Sequence, residues 1–438
     1  MTTENIQSIE RRTVKKTRKR ILPFILVLYI VAYLDRVNMG YAALEMNADL
    51  ALSAEVFGLL SGIFFIGYFF FEIPSNMILH KVGARLWIAR IMITWGIIVV
   101  LTGFVQTPNQ LYVLRFLLGV SEAGFFPGII LYLTYWFRKK DRSIATSTLL
   151  LALPVGAIIG APLSTWIMDN IHWNGLAGWR WMFILEGIPA VILGVVVLFY
   201  LTNRPQNAKW LTEPEKDWLE GELEKERIES RQTNKTSKLE MIKDARVWKL
   251  ALIYFTNFTA MYGLSFWLPS IVKSLSENVT TNLEIGWLAM VPALVGIPSI
   301  LLMGWNSART NSHKQHLIAS FIIAMIGFAA SSLVNSSVLM ITMLTFASIG
   351  LYGFAGVFMA YMTFFFTEST APVGIALVNS FASLGGFVGP VIFGIVSIQM
   401  GMSILASLAI LGLLLLLTLK LNEKNDELPK DSSIPKAS

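Results

Sequence analysis

The sequence predicts an all-α integral membrane protein with twelve transmembrane helices arranged as two bundles of six, and three observations predict this fold. Hydrophobic residues make up 55% of the 438 residues, and charged residues only 14%. The mean hydropathy of +0.61 lies outside the range of ordinary soluble domains. Apolar stretches of about 20 residues, the length a helix needs to cross ~30 Å of hydrocarbon, recur between polar breaks.

Twelve such stretches are expected to form the membrane helices. The first bundle takes residues 21–41, 55–79, 86–105, 110–136, 143–168 and 180–202, and the second takes 247–272, 284–305, 315–335, 338–366, 373–398 and 401–420. The predicted regions are a basic N-terminal tail (1–20), a first bundle (21–202), an interdomain loop (203–246), a second bundle (247–420) and a C-terminal tail (421–438). Within the loop, an amphipathic helix is expected from the apolar residues Trp210, Leu211, Trp218 and Leu219.

Lysine and arginine collect in alternate connections. "HKVGAR" (80–85), "RKKDR" (138–142) and "ARTNSHK" (308–314) are basic, whereas residues 42–55 carry three acids and no Lys or Arg. By the positive-inside rule, the basic connections and both termini are expected in the cytoplasm of a multi-pass protein of the cell membrane, predicted to be a bacterial inner membrane. The net charge of +7 is therefore assigned to lipid headgroups and not to nucleic acid.

The two bundles also resemble each other. The fifth predicted span contains "PVGAIIGAPLS" (154–164), and its counterpart in the second half contains "SLGGFVGPVIFG" (383–394). Paired six-helix repeats with glycine-rich and proline-containing segments at corresponding places are typical of transporters. Two glycine-rich membrane helices can also look alike by composition alone.

Ionisable residues inside the predicted spans are expensive to bury and are by default functional candidates. Asp35 and Arg36 lie in the first span, and Arg115 and Glu122 in the fourth. Adjacent helical residues point about 100° apart, so Asp35 and Arg36 need separate partners. Arg36 is expected to bind a substrate carboxylate, Asp35 to bind and release a proton, and the midplane Glu122 to be the coupling acid. The alternative is that these residues pair structurally between helices, which is the role expected for Arg115.

Weaker candidates complete the predicted site. Tyr33, Tyr68 and Asn379 can hydrogen-bond a hydroxylated or carboxylated ligand, although aromatic residues in membrane helices are mostly packing residues. Glu72 and Glu186 are expected to be structural or gate residues. The chain has no cysteine, its four histidines lack metal-ligand spacing, and it has no phosphate-binding P-loop. We therefore predict no enzyme activity, no metal and no cofactor, with a proton gradient as the energy source.

Five motifs span nearly the whole chain: "YLDRVNMGYA" (33–42), "IFFIGYFFFEIPSNMILHKVGAR" (63–85), "RFLLGVSEAGFFPGIILYLTYWF" (115–137), "GWRWMFILEGIPA" (178–190) and "NSFASLGGFVGP" (379–390). In these motifs the sequence closely resembles the anion:cation symporter family of the major facilitator superfamily, in the branch of sugar-acid, tartrate and aromatic-acid permeases.

The resemblance implies roles residue by residue. The aspartate and arginine of the first-helix motif fall on Asp35 and Arg36, and the glutamate of the fourth-helix motif falls on Glu122. The arginine and glycine of the fourth-helix motif, which pack the helix and tune the acid, fall on Arg115 and Gly119. The motif tyrosines and the asparagine fall on Tyr33, Tyr68 and Asn379. Two departures concern the loops that latch one conformation: His80 and Ala308 stand where the superfamily usually has aspartates.

The sequence therefore predicts a proton-coupled importer of a small organic carboxylate, working by alternating access as a functional monomer. An organic-anion exchanger of the same fold is a second reading. A membrane sensor that signals through the 203–246 loop is a third.

Overall fold

The computed structural model describes residues 3–232, 243–275, 281–334, 336–366 and 371–419, and within them every regular element is helical. In the first half the helices are α1 (Thr3–Asp49), α2 (Ala54–Val82), α3 (Ala84–Thr102), α4 (Pro108–Glu122), α5 (Phe125–Thr134), α6 (Lys139–Leu150), α7 (Ala152–Asn170) and α8 (Gly178–Tyr200), followed by α9 (Glu213–Gln232). In the second half they are α10 (Ala245–Leu275), α11 (Asn282–Leu294), α12 (Gly296–Thr310), α13 (His313–Ser332), α14 (Ser337–Met362), α15 (Ala371–Ile395) and α16 (Ile398–Leu417).

These helices confirm the predicted fold of twelve membrane helices in two bundles of six. Three spans consist of two consecutive helices, α4 with α5, α6 with α7, and α11 with α12. The first of these breaks at Gly124, whose φ of 85° only glycine adopts readily. Eleven described stretches are long and apolar enough to cross a membrane, and α10 is not among them. It nevertheless occupies the seventh position, and its less apolar composition reflects polar residues buried inside the bundle, Thr256, Asn257 and Thr259.

One expected boundary differs from the structure. Residues 1–20 were expected as a tail separate from the first span, but α1 begins at Thr3 and continues without a break to Asp49. The basic segment contains good helix formers, and contacts hold it in place. Lys16 Nζ lies 2.8 Å from Glu215, and Arg18 Nη2 lies 2.7 Å from Asp141. The C-terminal tail 421–438 and residues 233–242 of the loop lie outside the described residues.

We call the end of the molecule that carries residues 138–142 the basic end, and the other the distal end. At the basic end, α9 packs against the first half, as expected for an amphipathic helix. Arg138 is only 5% exposed, lies 3.0 Å from Glu10 and 2.9 Å from Asp141, and lies over the ring of Trp218 on α9. These contacts join α1, α9 and the start of α6 into one unit with the first half.

The two halves meet mainly along three helix pairs, α2 with α15, α7 with α11, and α1 with α10, with smaller contacts of α6 with α14 and of α7 with α12. At the distal end, hydrogen bonds also join them. Lys273 Nζ donates to the Leu44 carbonyl oxygen at 2.9 Å, and Asn282 Nδ2 donates to Glu45 at 2.8 Å. The Asp169 carboxylate accepts the backbone N–H groups of Asn282 and Leu283, at 3.2 and 2.7 Å. The distal end is therefore closed in this structure.

Glycine allows the closest approach at this closed end. A Cβ added at Gly286 on α11 would lie 2.1 Å from Thr165 Oγ1 and 2.7 Å from the Ala161 carbonyl oxygen, both on α7. A larger side chain at position 286 cannot fit without separating the two helices.

We predict that Gly286→Leu opens the distal end. Since the natural chain has no cysteine, a single reporter, Ala289→Cys, can be placed on the same helix at a position that is 3% exposed. A membrane-impermeant maleimide should label this reporter several times faster in the Gly286→Leu background than in its absence.

The matched control is Gly304→Leu on α12, where an added Cβ meets no atom within 4 Å. It should leave the labelling rate unchanged. Equal labelling in the Gly286→Leu and parent backgrounds would show that the α7–α11 contact does not close this end.

Candidate functional site

A cavity lies between the two halves near the middle of the bundle, with about 700 Å³ of empty space including its opening toward solvent. Residues from both halves line it. The polar ones are Tyr29, Arg36, Tyr68 and Glu72 from the first half and Tyr254, Asn257, Tyr262, Asn379 and Ser383 from the second. Phenylalanine, leucine and methionine side chains fill the rest of the wall. Such a mixture of aromatic walls and a few polar groups is typical of small-molecule sites.

Arg36 projects into this cavity from the middle of α1 and is 7% exposed. Its Nη1 donates to the Tyr262 hydroxyl of α10 at 2.8 Å, and its Nη2 forms an ion pair with Glu122 Oε1. The guanidinium also lies 5.5 Å from the centre of the Tyr68 ring. Arg36 therefore contacts both halves and is the one cation among the described residues that line the cavity.

Glu122 ends α4 directly before the break at Ala123 and Gly124. It is 1% exposed and does not itself line the cavity, because Arg36 stands between it and the open space. A carboxylate so deeply buried depends on a paired cation, and Arg36 supplies it. The structure thus brings the predicted coupling acid and the predicted substrate-binding cation into direct contact.

Asp35 lies on another side of α1, as the 100° rotation between neighbours requires. Its Oδ2 accepts a hydrogen bond of 2.8 Å from Trp95 Nε1 of α3, and its Oδ1 has no partner among the described residues. Asp35 is 2% exposed and does not line the cavity. Of the three predicted residues Asp35, Arg36 and Glu122, Arg36 is therefore the one that lines the cavity.

Arg115 and Gly119 lie behind the site, between α4 and α2. The guanidinium of Arg115 is 1% exposed, lies over the rings of Phe64 (5.6 Å) and Phe266 (6.0 Å), and has no hydrogen-bond partner among the described residues. A Cβ at Gly119 would lie 1.9 Å from the Phe64 carbonyl oxygen, so α4 and α2 touch there. This placement agrees with a packing role for Gly119 and with electrostatic support of Glu122 by Arg115.

Of the three hydrogen-bonding candidates, two line the cavity and one does not. Tyr68 and Asn379 line the cavity, one from each half, and the Asn379 Oδ1 is buried without a described partner. Tyr33 does not line it: the Tyr33 ring packs on Gly156 of α7, where an added Cβ would lie 3.0 Å from the ring. Tyr33 is thus placed to pack α1 against α7 and not to touch a ligand in this conformation.

Sequence reasoning missed several residues of the cavity wall. Glu72 was expected to be structural or a gate, yet it lines the cavity and accepts a 2.5 Å hydrogen bond from Ser380 Oγ of α15. Tyr262, the partner of Arg36, gave no signal beyond being one more aromatic residue in a membrane helix. Asn257 is a candidate from the sequence, as a neutral polar residue inside an apolar span of the second half, and it too lines the cavity.

Glu186 has no access to the cavity. It is 4% exposed and accepts hydrogen bonds from Ser164 Oγ at 2.6 Å and Asn38 Nδ2 at 3.1 Å, all within the first half. It is therefore a satisfied buried acid, comparable to Glu72 in burial but remote from the ligand space.

The remaining predicted features lie near the basic end. Ala308 is exposed near the end of α12, and His80 lies near the end of α2, with its side chain outside the described residues. Among the described residues no group of three or more His, Cys, Asp or Glu side chains is placed to hold a metal ion.

Comparison with known proteins agrees with this geometry. The family model described as Major Facilitator Superfamily matches residues 25–315 and 271–436. A protein of Agrobacterium vitis named "Putative tartrate transporter" is 45% identical over 386 residues, 88% of each chain. A protein of Pseudomonas putida named "Putative metabolite transport protein NicT" is 38% identical over 399 residues, 91% of each chain.

A solved structure extends the comparison to the fold. A bacterial homologue of the human lysosomal transporter Spinster, in an inward-facing and occupied conformation, gives a TM-score of 0.74 at 16% identity. The match covers 94% of this chain and 99% of that one.

The ion pair between Arg36 and Glu122 yields a test of stability. Arg36→Met leaves Glu122 buried without its cation and should cost about 3–5 kcal/mol of unfolding free energy, and Glu122→Leu should cost a similar amount. The double variant should cost clearly less than the sum, because no unpaired charge remains. Thermal unfolding of purified protein, followed by tryptophan fluorescence, measures each variant.

Arg115→Met is the matched control, since Arg115 is equally buried but has no described hydrogen-bond partner. It should destabilise the protein less than Arg36→Met. Additive effects of the two substitutions at Arg36 and Glu122 would mean that their contact does not contribute as described.

Proposed function

The chain belongs to the Major Facilitator Superfamily, and we propose that this transporter imports a small organic carboxylate together with protons. The family and the relatives are transporters and not enzymes. The proposal that anion uptake is coupled to protons is supported mainly by one observation. The cation that faces the cavity is held by a carboxylate of the protein itself.

This arrangement makes a substrate carboxylate and Glu122 competitors for the same guanidinium. Arg36 carries its charge at every accessible pH and binds carboxylates through two parallel donors. While Glu122 is ionised, it occupies Nη2. Protonation of Glu122 removes that competition and leaves Arg36 with a net positive charge toward the cavity. Proton binding therefore favours anion binding, which is the thermodynamic linkage that symport requires.

The transport cycle follows from this linkage. With the distal end open, Glu122 takes up a proton from that side, and the anion binds Arg36 and Tyr262. Closure of the distal end, as seen here, and opening of the basic end then expose the site to the cytoplasm. Loss of the proton restores the Arg36–Glu122 pair, and the pair displaces the anion. Asp35, the neighbour of Arg36 on α1, is a second proton-binding candidate. Its charge acts on the site electrostatically across α1, without contact with the ligand.

The lining of the cavity suits two kinds of acid. Its hydroxyl and amide groups can hydrogen-bond a sugar acid or a tartrate-like acid, and its aromatic wall can pack against an aromatic acid. One relative's name includes tartrate, which favours small hydroxylated acids as the first ligands to test.

Orientation and assembly belong to the same proposal. By the positive-inside rule, the basic connections support a cytoplasmic location of the basic end and of both termini, in the cell membrane and, for a bacterial chain, the inner membrane. One chain supplies both walls of the cavity, which supports a functional monomer. In the proposed cycle the proton gradient is the energy source.

Replacement of Glu122 by glutamine tests the proposal. Glu122→Gln should abolish accumulation driven by a pH gradient, because the acid no longer gains and loses a proton. It should retain exchange of labelled for unlabelled substrate, because Arg36 still binds the anion. Uptake into proteoliposomes of tartrate, gluconate and benzoate, with and without an inward proton gradient, measures both activities.

Glu186→Gln serves as the control, because it neutralises an equally buried acid outside the cavity, and it should keep gradient-driven uptake. Gradient-driven accumulation by Glu122→Gln at the rate of the parent protein would contradict coupling through Glu122. Exchange without any response to the gradient in the parent protein would identify an exchanger. Absence of flux for all three acids would contradict the proposal altogether.

A further inference from the structure

Glu72 stands apart from the other buried acids of the membrane region because it faces the ligand space directly. Glu122 lies behind Arg36, Asp35 lies against Trp95, and Glu186 is bonded within the first half. Among the described residues that line the cavity, Glu72 is the one acid and Arg36 the one base. The mechanism proposed above uses Arg36 but gives Glu72 no role.

The charges of the cavity do not favour an anion while Glu72 is ionised. While Glu122 is ionised it matches the positive charge of Arg36. Once Glu122 is protonated, an ionised Glu72 cancels that charge in its place. In neither state does a substrate anion meet a net positive charge in the cavity, and Glu72 itself repels the anion. For two like charges about 6 Å apart at an effective dielectric constant of about 20, the repulsion corresponds to roughly a hundredfold loss of affinity.

The surroundings of Glu72 can stabilise the neutral form. Its side chain is 2% exposed, and the group that contacts it from α15 is the neutral hydroxyl of Ser380. Asn379 on the same helix is also neutral. The charged or titratable groups that face Glu72 are Arg36 from α1 and Tyr68 from one turn earlier on α2, with Glu122 beyond Arg36. Arg36 is the one cation among these groups, and it pairs with Glu122 or with the substrate anion, so neither arrangement leaves it free to compensate an ionised Glu72.

We propose that Glu72 is a second proton-binding residue of the transport cycle, and that it must be neutralised before an anion can occupy the cavity. This inference rests on the proposed function and adds a second proton to the proposed transport cycle. The proton bound by Glu72 comes from the same solution as the substrate, and it leaves when the site opens to the cytoplasm. Ser380 belongs to the other half, so protonation of Glu72 also changes the hydrogen bond that joins α2 to α15.

The test compares substrate affinity at different pH values. The probe is whichever of tartrate, gluconate and benzoate the parent protein accumulates best, and its binding to purified protein is measured by thermal stabilisation between pH 5.5 and 8.5. In the parent protein, affinity should fall as pH rises, because Glu72 and Glu122 become ionised. In Glu72→Gln, the affinity at pH 8.5 should be at least about tenfold higher than in the parent, and the fall with pH should be shallower by about one proton.

Proton counting in proteoliposomes gives an independent measurement. With a pH-sensitive dye inside, Glu72→Gln should move about one proton fewer per substrate than the parent protein.

Two further variants separate charge from packing. Ser380→Ala removes the bridge to α15 but keeps the carboxylate, and it should keep the parent's pH dependence. Glu186→Gln neutralises an acid of similar burial, also bonded to a serine, that does not line the cavity. It too should keep the parent's pH dependence.

The inference is overturned if Glu72→Gln retains the full pH dependence and proton count of the parent. It is also overturned if Ser380→Ala or Glu186→Gln reproduces the effect of Glu72→Gln. These outcomes leave the proposed function intact, whereas failure of the parent protein to accumulate any of the three acids would count against the proposed function itself.

Discussion

The contact between Arg36 and Glu122 is the interaction on which the rest of the site depends. Two opposite charges lie in the middle of a membrane protein, where either alone would be costly, and each makes the burial of the other tolerable. The pair also joins α1 to the end of α4, directly before the chain breaks at Gly124. The same contact that stabilises the first half therefore holds the cation at the cavity wall and limits what that cation can bind.

The cavity exists because the two halves approach closely on one side of it. At the distal end, glycine residues and hydrogen bonds bring α7 against α11, and α1 is tied to the second half through Lys273 and Asn282. Nearer the basic end, the Glu72–Ser380 hydrogen bond is a contact of a different kind, because one partner can gain a proton. A membrane transporter needs contacts between its halves that can form and break. In the proposed cycle, the titratable Glu72 makes this contact respond to protons.

Much of this could be predicted from the sequence, since the constraints are those of the membrane. Hydropathy gives the spans, the distribution of Lys and Arg predicts their orientation, and the 100° step between residues correctly separates Asp35 from Arg36. The sequence did not predict the direction in which each side chain points around its helix axis. The depth of Glu72 or Tyr33 can be read along a helix, but whether a side chain faces the other half depends on how α2 packs on α15, or α1 on α7. The start of α1 was placed too late because hydropathy reports where lipid begins, whereas a helix can continue into water on propensity and ion pairs.

The continuous α1 helix has a mechanical consequence. At 1.5 Å per residue its 47 residues extend about 70 Å, more than twice the ~30 Å hydrocarbon thickness. Contacts with Arg138 and α9 fasten the basic end of α1 to the first half, so this part of the helix moves with that half as a rigid lever. From Arg36 to Thr3 the helix runs 33 residues, about 50 Å, so tilting that half by about 10° around Arg36 would sweep its tip through about 9 Å. A modest rocking around Arg36 is thereby enlarged into a displacement comparable to a helix diameter at the basic end of the molecule.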